Sequence, residues 1–485
     1  MTKPSVKQNL LYQAFYELLV IFLPLITAPY ISRILGADGL GRYSYTYSVA
    51  TYFVLFSMLG IKNYGSRVIA QVRDNTQKLN QTFSGLVIIH IAVSMLCSGI
   101  YVLYALFTET DSFLVWIQSL YVLSALFDIS WLYFGLEKFK ITVIQSSLVK
   151  ILTAICIFIF VRDVGDLWKY CVLMSGGIFL GQVILWFPLR RFVHICWPNT
   201  NEIKKHIKPM FVLFLPAIAI SLYKYMDKIM LGVISNKEQL GFYENAEKIV
   251  NVPLSIISAV GMVMLPRMSN LMKKEKHNAA SQYIYVSMRY VMCLSFAFTF
   301  GMAGAGKVFA PVFFGSSFQP TGVLILYLAV TIPFLSFANV IRTQYLIPAG
   351  KDKEYLLSVI AGAAVNLILN WVLIPFLAAV GAAIGTIAAE ITVCSIQAWY
   401  VRRALKLRAY IADCSPFFLL GCLMFMIVYC LGSIGVSIQT LLMQITVGGI
   451  LYMVGSSIIL FSKKDTMFMN LYQKKGINIF FNHKK

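Results

Sequence analysis

Residues 24–43 read PLITAPYISRILGADGLGRY, and residues 216–243 read PAIAISLYKYMDKIMLGVISNKEQLGFY. Each stretch sets a proline inside an apolar run, closes that run on Leu-Gly (Gly36, Gly232) and reopens on Gly-x-Tyr (Gly41, Gly241). The spacing predicts two copies of one unit, with apolar runs 1–6 in the first and 7–12 in the second. An even number of crossings per unit preserves orientation, so the two lobes are related by a pseudo-twofold axis along the membrane normal. Repeats of that kind in transporters place the substrate at their interface and alternate access by rocking one half against the other.

Working outward, apolar runs long enough to span a bilayer recur from residue 9 to residue 461. The runs are 9–31, 42–61, 82–107, 112–134, 141–161, 168–189, 209–234, 241–266, 282–306, 321–347, 354–377, 380–401, 413–433 and 436–461. Lysines and arginines gather in every second gap, at 62–78, 137–140, 190–208, 267–276, 351–353 and 402–408, and at both termini. Cations retained on the cytoplasmic side give this alternation. The expected fold is an all-α polytopic membrane protein of about fourteen transmembrane helices, both ends cytoplasmic. Helices are required because lipid offers exposed backbone no partners, and a barrel would alternate with period two. The first run carries Glu17 and Pro24 without a small-residue cleavage site, so it reads as a retained span. The polar stretch 63–80 reads as an interfacial helix.

The organisation that follows is an N-lobe at 1–195, a cytoplasmic linker at 196–208, a C-lobe at 209–405, two further helices at 406–461 and a basic cytoplasmic tail at 462–485. Composition agrees. The chain is 59% hydrophobic and 13% charged, with mean hydropathy +0.75, against about half apolar and about a quarter charged in soluble proteins. The net charge of +21 is a consequence of topology and anionic lipid, so no nucleic-acid partner is expected. Nine cysteines show no ligand spacing and lie mostly in apolar runs, which reads as packing rather than as a metal site or disulfides. The outer gaps at 108–111, 235–240 and 432–436 are too short for an extracellular catalytic domain, so no enzyme activity and no catalytic residue are expected. No G-x-x-x-x-G-K-[ST] motif occurs. Energy must therefore come from a gradient or from removal of product, and a coupling proton or sodium ion is the only cofactor expected.

Three segments carry a family resemblance: PLITAPYISRILGADGLGRYSYTYS from Pro24, LGIKNYGSRVIA from Leu59, and LPAIAISLYKYMDKIMLG…LGFYENAEKI from Leu215. The chain resembles the oligosaccharide flippases (Wzx-type) of the multidrug/oligosaccharidyl-lipid/polysaccharide exporter superfamily, with the MATE-like two-lobed fold. The resemblance implies transfer of polyprenyl-pyrophosphate-linked oligosaccharide from the inner to the outer leaflet of a bacterial cytoplasmic membrane, for capsule, exopolysaccharide or O-antigen. It implies polymerase and glycosyltransferases as functional associates. The alternatives are a MATE-like ion-coupled exporter of small molecules and a flippase for another lipid-linked precursor.

Charges at membrane depth cost about 2.5 kcal/mol or more each and mark function. Lys224, Asp227 and Lys228 share one face of the seventh span by their spacing, a net positive surface suited to a pyrophosphate. Its alternative is an internal Lys–Asp pair that only fixes packing. Arg289, Arg342 and Arg33 are further candidate phosphate contacts. Glu17, Asp128 and Glu390 (the last beyond the Gly381-x-x-x-Gly385 packing motif) are candidate ion-coupling carboxylates, with Lys150 a further buried charge. Glu244 and Glu247 open the eighth span, and Glu244 is spaced to pair with Lys248. Tyr43–Tyr47 and Tyr223–Tyr225 read as interfacial belts.

Overall fold

The computed structural model describes residues 6–463 and Asp465, without the side chains of 6–15, 17, 201, 216, 219, 220 and 222–224. The helices in chain order are α1 (Val6–Met58), α2 (Ile61–Val72), α3 (Thr76–Phe107), α4 (Ser112–Leu126), α5 (Ser130–Gly135), α6 (Phe139–Phe160), α7 (Leu167–Ile184) and α8 (Thr200–Ile234). They continue as α9 (Lys237–Lys273), α10 (His277–Phe314), α11 (Gln319–Ala329), α12 (Thr331–Ile341), α13 (Asp352–Val401), α14 (Leu407–Leu431) and α15 (Ile438–Ser462). No strand occurs among the described residues.

Every expected span falls on helix. Eleven described segments are long and apolar enough to cross a membrane, and two of them, at 55 and 50 residues, have length for two crossings. Each of these is broken where the expected gap lies. In α1 the break is Gly36 (φ 66°), a left-handed position that glycine adopts without a Cβ clash. In α13 it is Ala378 (φ 48°), which bears that penalty. With α8 carrying the seventh span, the count of about fourteen crossings agrees.

Two expectations are refined. Residues 63–80 do not form one surface helix. α2 ends at Val72, and Asn75 caps α3 by accepting a hydrogen bond from the Lys78 amide at 3.0 Å. The fourth span is interrupted between α4 and α5. Asp128 sits in the break and accepts the Ser130 amide at 2.9 Å, while its carbonyl accepts the Trp131 indole N–H at 3.1 Å.

The chain forms two compact units. Unit 1 comprises 1–249 and 359–389; unit 2 comprises 250–358 and 390–485. The units and the expected lobes divide the chain differently, since α8, the start of α9 and the middle of α13 belong to unit 1. In unit 1, α2 lies against α5 because Gly65 leaves room for the Trp131 ring and Gly135 for Ile69. In unit 2, Arg289 of α10 bonds Asp413 of α14 at 2.5 Å and also Asp465, and Lys463 bonds Asp413 at 2.7 Å. Tyr290 donates to Asp465 at 2.7 Å. This network fastens the ends of α10, α14 and α15.

Candidate functional site

Unit 1 encloses a cavity of about 310 Å³. Its wall takes Pro24, Thr27, Tyr43 and Tyr47 from α1, Lys150 and Thr153 from α6, Tyr170 from α7, Lys228 from α8, and Glu244 and Lys248 from α9. The volume falls at the lower end of the range for small-molecule sites, about 300–1,000 Å³. Three ammonium groups and one carboxylate face it. Lys228 is held between Glu244 (2.7 Å) and Glu247 (2.8 Å), so its charge is answered within the protein. Lys248 lies 3.6 Å from Glu244, the pair expected from their spacing. Lys150 has no ion-pair partner among the described residues. Two cations, Lys228 and Lys248, thus balance two carboxylates, Glu244 and Glu247, and Lys150 is the cavity cation with charge left for a ligand. The tyrosines form the apolar side. Tyr43 and Tyr47 stack at 5.6 Å, Tyr47 stacks on Tyr121 at 4.8 Å, and Tyr170 meets Tyr43 edge-on at 4.7 Å.

Asp227 and Lys228 do not share one cluster: as successive residues their side chains leave α8 about 100° apart, and among the described residues Asp227 pairs with no cation. It is buried and accepts three neutral donors: Asn370 Nδ2 at 2.6 Å, Thr386 Oγ1 at 2.7 Å and Tyr243 OH at 3.1 Å. Asn370 also donates to Asn366 at 3.3 Å, and the Ala382 carbonyl, 2.9 Å from Thr386 Oγ1, is the alternative acceptor for the threonine's single proton. The α13 glycines make this possible. A Cβ on Gly385 would overlap the Asn370 amide, and one on Gly381 would crowd the Leu373 carbonyl, so the Gly-x-x-x-Gly motif closes the α13 hairpin against itself. The Asn370 amide N–H, the Thr386 hydroxyl and the Tyr243 phenol thus meet the carboxylate as donors, so neutral hydrogen bonds satisfy it.

The remaining expected residues are dispersed. Arg33 is exposed on α1. Asp128 serves the α4–α5 break. In unit 2, both charges opposite Arg289 come from the carboxylates of Asp413 and Asp465, Arg342 starts a π-helical turn with its guanidinium 5.6 Å from the Tyr355 ring centroid, and Glu390 is buried. The side chains of Glu17 and Lys224 lie outside the described residues, as does the tail beyond Asp465. Tyr43 and Tyr47, expected in an interfacial belt, line the cavity wall. Lys150 was legible as a buried charge, though nothing in the sequence singled it out from the others.

Beside the cavity the two repeat copies meet through corresponding residues. A Cβ on Gly41 would overlap the Lys237 carbonyl, and one on Gly241 would overlap the Ala37 carbonyl. Three residues beyond each glycine, Ser44 donates to Glu244 at 2.7 Å, and Asn245 donates to Ser32 at 2.8 Å. Lys237 donates to the Gly232 carbonyl at 2.8 Å with its ammonium 3.1 Å from the Tyr45 ring centroid. The seam is therefore backbone against backbone, framed by two side-chain bonds.

A family model described as polysaccharide biosynthesis protein matches residues 6–272. A protein of Escherichia coli K12 named "Putative O-antigen transporter" is 24% identical over 412 residues, covering 82% of this chain and 97% of its own length. The lipid II flippase MurJ of Bacillus subtilis is 26% identical over 235 residues, 43% of each chain. Among solved structures, the lipid II flippase MurJ in an inward closed conformation superposes with TM-score 0.75 at 14% identity, covering 94% of this chain and 99% of its own. An inward-facing MATE-family multidrug transporter of the MOP superfamily gives TM-score 0.55 at 12% identity, covering 79% and 98%. At those identities the structural likenesses concern the fold alone.

Proposed function

The chain belongs to the polysaccharide biosynthesis protein family, and from that premise we propose that it is a flippase for polyprenyl-pyrophosphate-linked oligosaccharide. The substrate crosses from the inner to the outer leaflet of a bacterial cytoplasmic membrane, both termini lie in the cytoplasm, and the product feeds surface-polysaccharide assembly by a polymerase downstream of glycosyltransferases. The two six-helix lobes alternate access around the cavity. The observation that carries this reading is the cavity wall: Lys150, without an ion-pair partner among the described residues, shares it with Lys248 and a bank of tyrosines. Ammonium groups bind a pyrophosphate through charge-assisted hydrogen bonds, and phenol rings give sugars apolar faces and hydroxyl partners. An exporter of small cations would favour the reverse, a carboxylate-dominated wall. Asp227 with Thr386 and the two asparagines is the seat of the coupling ion, a proton or sodium.

The test is complementation of a deletion strain. Lys150→Gln with Lys248→Gln, inserted at normal levels, should reduce surface polysaccharide by roughly 10- to 100-fold, the loss expected for a charged hydrogen bond of about 1.5–3 kcal/mol. Lipid-linked oligosaccharide should accumulate on the inner leaflet. Full polysaccharide in the double variant would remove the cavity lysines from transport.

A further inference from the structure

A second, larger cavity of about 460 Å³ in unit 1 is separate from the lysine-lined one. It is bounded by Asp38 and Arg42 on α1, Asp111 and Phe113 at the start of α4, and Gly165 and Trp168 at the start of α7. The charge pattern places all of these positions at outer gaps of the chain. The Gly36 break reorients the following residues, and Asp38 and Arg42, four apart, then share one helical face. Asp111 adopts the left-handed region (φ 56°), an uncommon conformation for a side-chain-bearing residue, and its nearly buried carboxylate holds Arg42. Asp38 is exposed, and its charge is not answered by the Arg42–Asp111 pair. Opposite stand two aromatic rings, Phe113 (64% exposed) and Trp168 (43%), with centroids 6.4 Å apart. Gly165 has no atoms within reach of a side chain, so the cavity is open there.

An interfacial aromatic belt accounts for rings at this depth, but not for carboxylates and a guanidinium on the facing wall. The charge balance chooses the ligand. Arg42 is matched by Asp111, and the nearby Lys237 interacts with both Asp38 and Asp111, so the wall carries no surplus positive charge to hold a phosphate. What it offers is an apolar face across from closely spaced acceptors and donors, the pairing that sugar rings need for their C–H faces and hydroxyls. Asp38 and Arg42 also flank Ala37 and Gly41, which form the seam between the repeat copies.

We propose that this pocket is an outer-face saccharide site that receives the glycan end of the transported molecule, remote from its pyrophosphate. The proposal rests on the flippase reading, and occupancy next to the seam would bias the seam's opening. The test uses the full-length protein in cells whose lipid-linked oligosaccharide is labelled with tritiated sugar and whose phospholipid is labelled with ¹⁴C-glycerol. A photo-crosslinker is introduced as Val164→benzoylphenylalanine in this pocket and, separately, as Thr153→benzoylphenylalanine in the lysine-lined cavity. Sugar label is expected at both, and at position 164 it should fall by about tenfold when Asp38→Asn and Trp168→Ala are added. The conservative Asp38→Asn alone should lower it with protein levels unchanged. Sugar label at 153 but not 164 overturns the outer site and leaves the flippase reading intact. Phospholipid label alone at 164 makes it a lipid-headgroup site and overturns the proposal. No sugar label at either position removes both.

Discussion

Lys228 shows how a buried cation is held and what its loss leaves behind. Its ammonium lies within 2.8 Å of Glu244 and Glu247, and all three side chains are at most 23% exposed. Removing one partner of a buried ion pair costs about 3–5 kcal/mol because the others keep their desolvation penalty, whereas removing all of them is near neutral. Lys228→Met should therefore lower the detergent melting temperature sharply, and adding Glu244→Gln and Glu247→Gln should restore most of it. Equal melting of single and triple variants would show that the triad is hydrated and weak. His206, on the stretch of α8 that precedes the seventh span, makes the opposite kind of prediction. Burial pushes its imidazole below the ordinary value, Lys205 adds to that, and Glu202 opposes; the Tyr64 hydroxyl lies 2.8 Å from Nδ1. The folded protein thus prefers the neutral ring, while the unfolded chain takes up a proton near pH 6.5. Stability should be full above that pH and decline below it. His206→Gln should flatten the decline between about pH 6.5 and 5 in thermal melts. Spacing revealed the Glu244–Lys248 pair in advance, because i and i+4 meet on any helix. It could not reveal that Asp227 answers to Asn370 and Thr386, 143 and 159 residues away, since no local rule reports which helices become neighbours.

At the scale of elements, the repeat seen in the sequence becomes physical contact at the Gly41–Gly241 seam. The first turn of α1 beyond the Gly36 break and the first turn of α9 approach until backbone touches backbone, which only residues without a Cβ permit. Gly41→Val forces Cβ into the Lys237 carbonyl and must displace one turn. The seam should then be held apart, and a Thr27→Cys reporter in the lysine-lined cavity should gain reactivity toward a membrane-impermeant maleimide added outside. Surface polysaccharide should fall in the same strain. Unchanged labelling with normal polysaccharide would show that the seam is passive packing. Helix positions were legible almost throughout, because twenty apolar residues and a basic gap are hard to mistake. The interruption at 127–129 was not, since its cause is a side-chain bond from Asp128 to the Ser130 amide inside an otherwise apolar run. The inward turn of Tyr43 and Tyr47 was hidden for a related reason. A tyrosine near a span end has the same sequence signature whether it meets lipid headgroups or a cavity.

For the whole molecule, the separation of charges by role matters most. In the proposed function loop cations orient the chain and the lysine-lined cavity offers charge to a ligand, while among the described residues Asp227 pairs with no cation. A buried carboxylate surrounded by neutral donors is stabilised locally yet carries no counter-charge, so an incoming proton or sodium ion would complete it. If transport is driven through that completion, collapsing the relevant gradient should stop lipid-linked oligosaccharide from appearing on the outer leaflet. A protonophore in sodium-free medium and sodium replacement with the proton gradient intact separate the two ions. Asp227→Asn supplies the amide shape without the charge; it should leave only slow leakage that neither treatment alters. Wild-type transport indifferent to both gradients would assign Asp227 to packing α8 against α13 and leave product removal as the driving force.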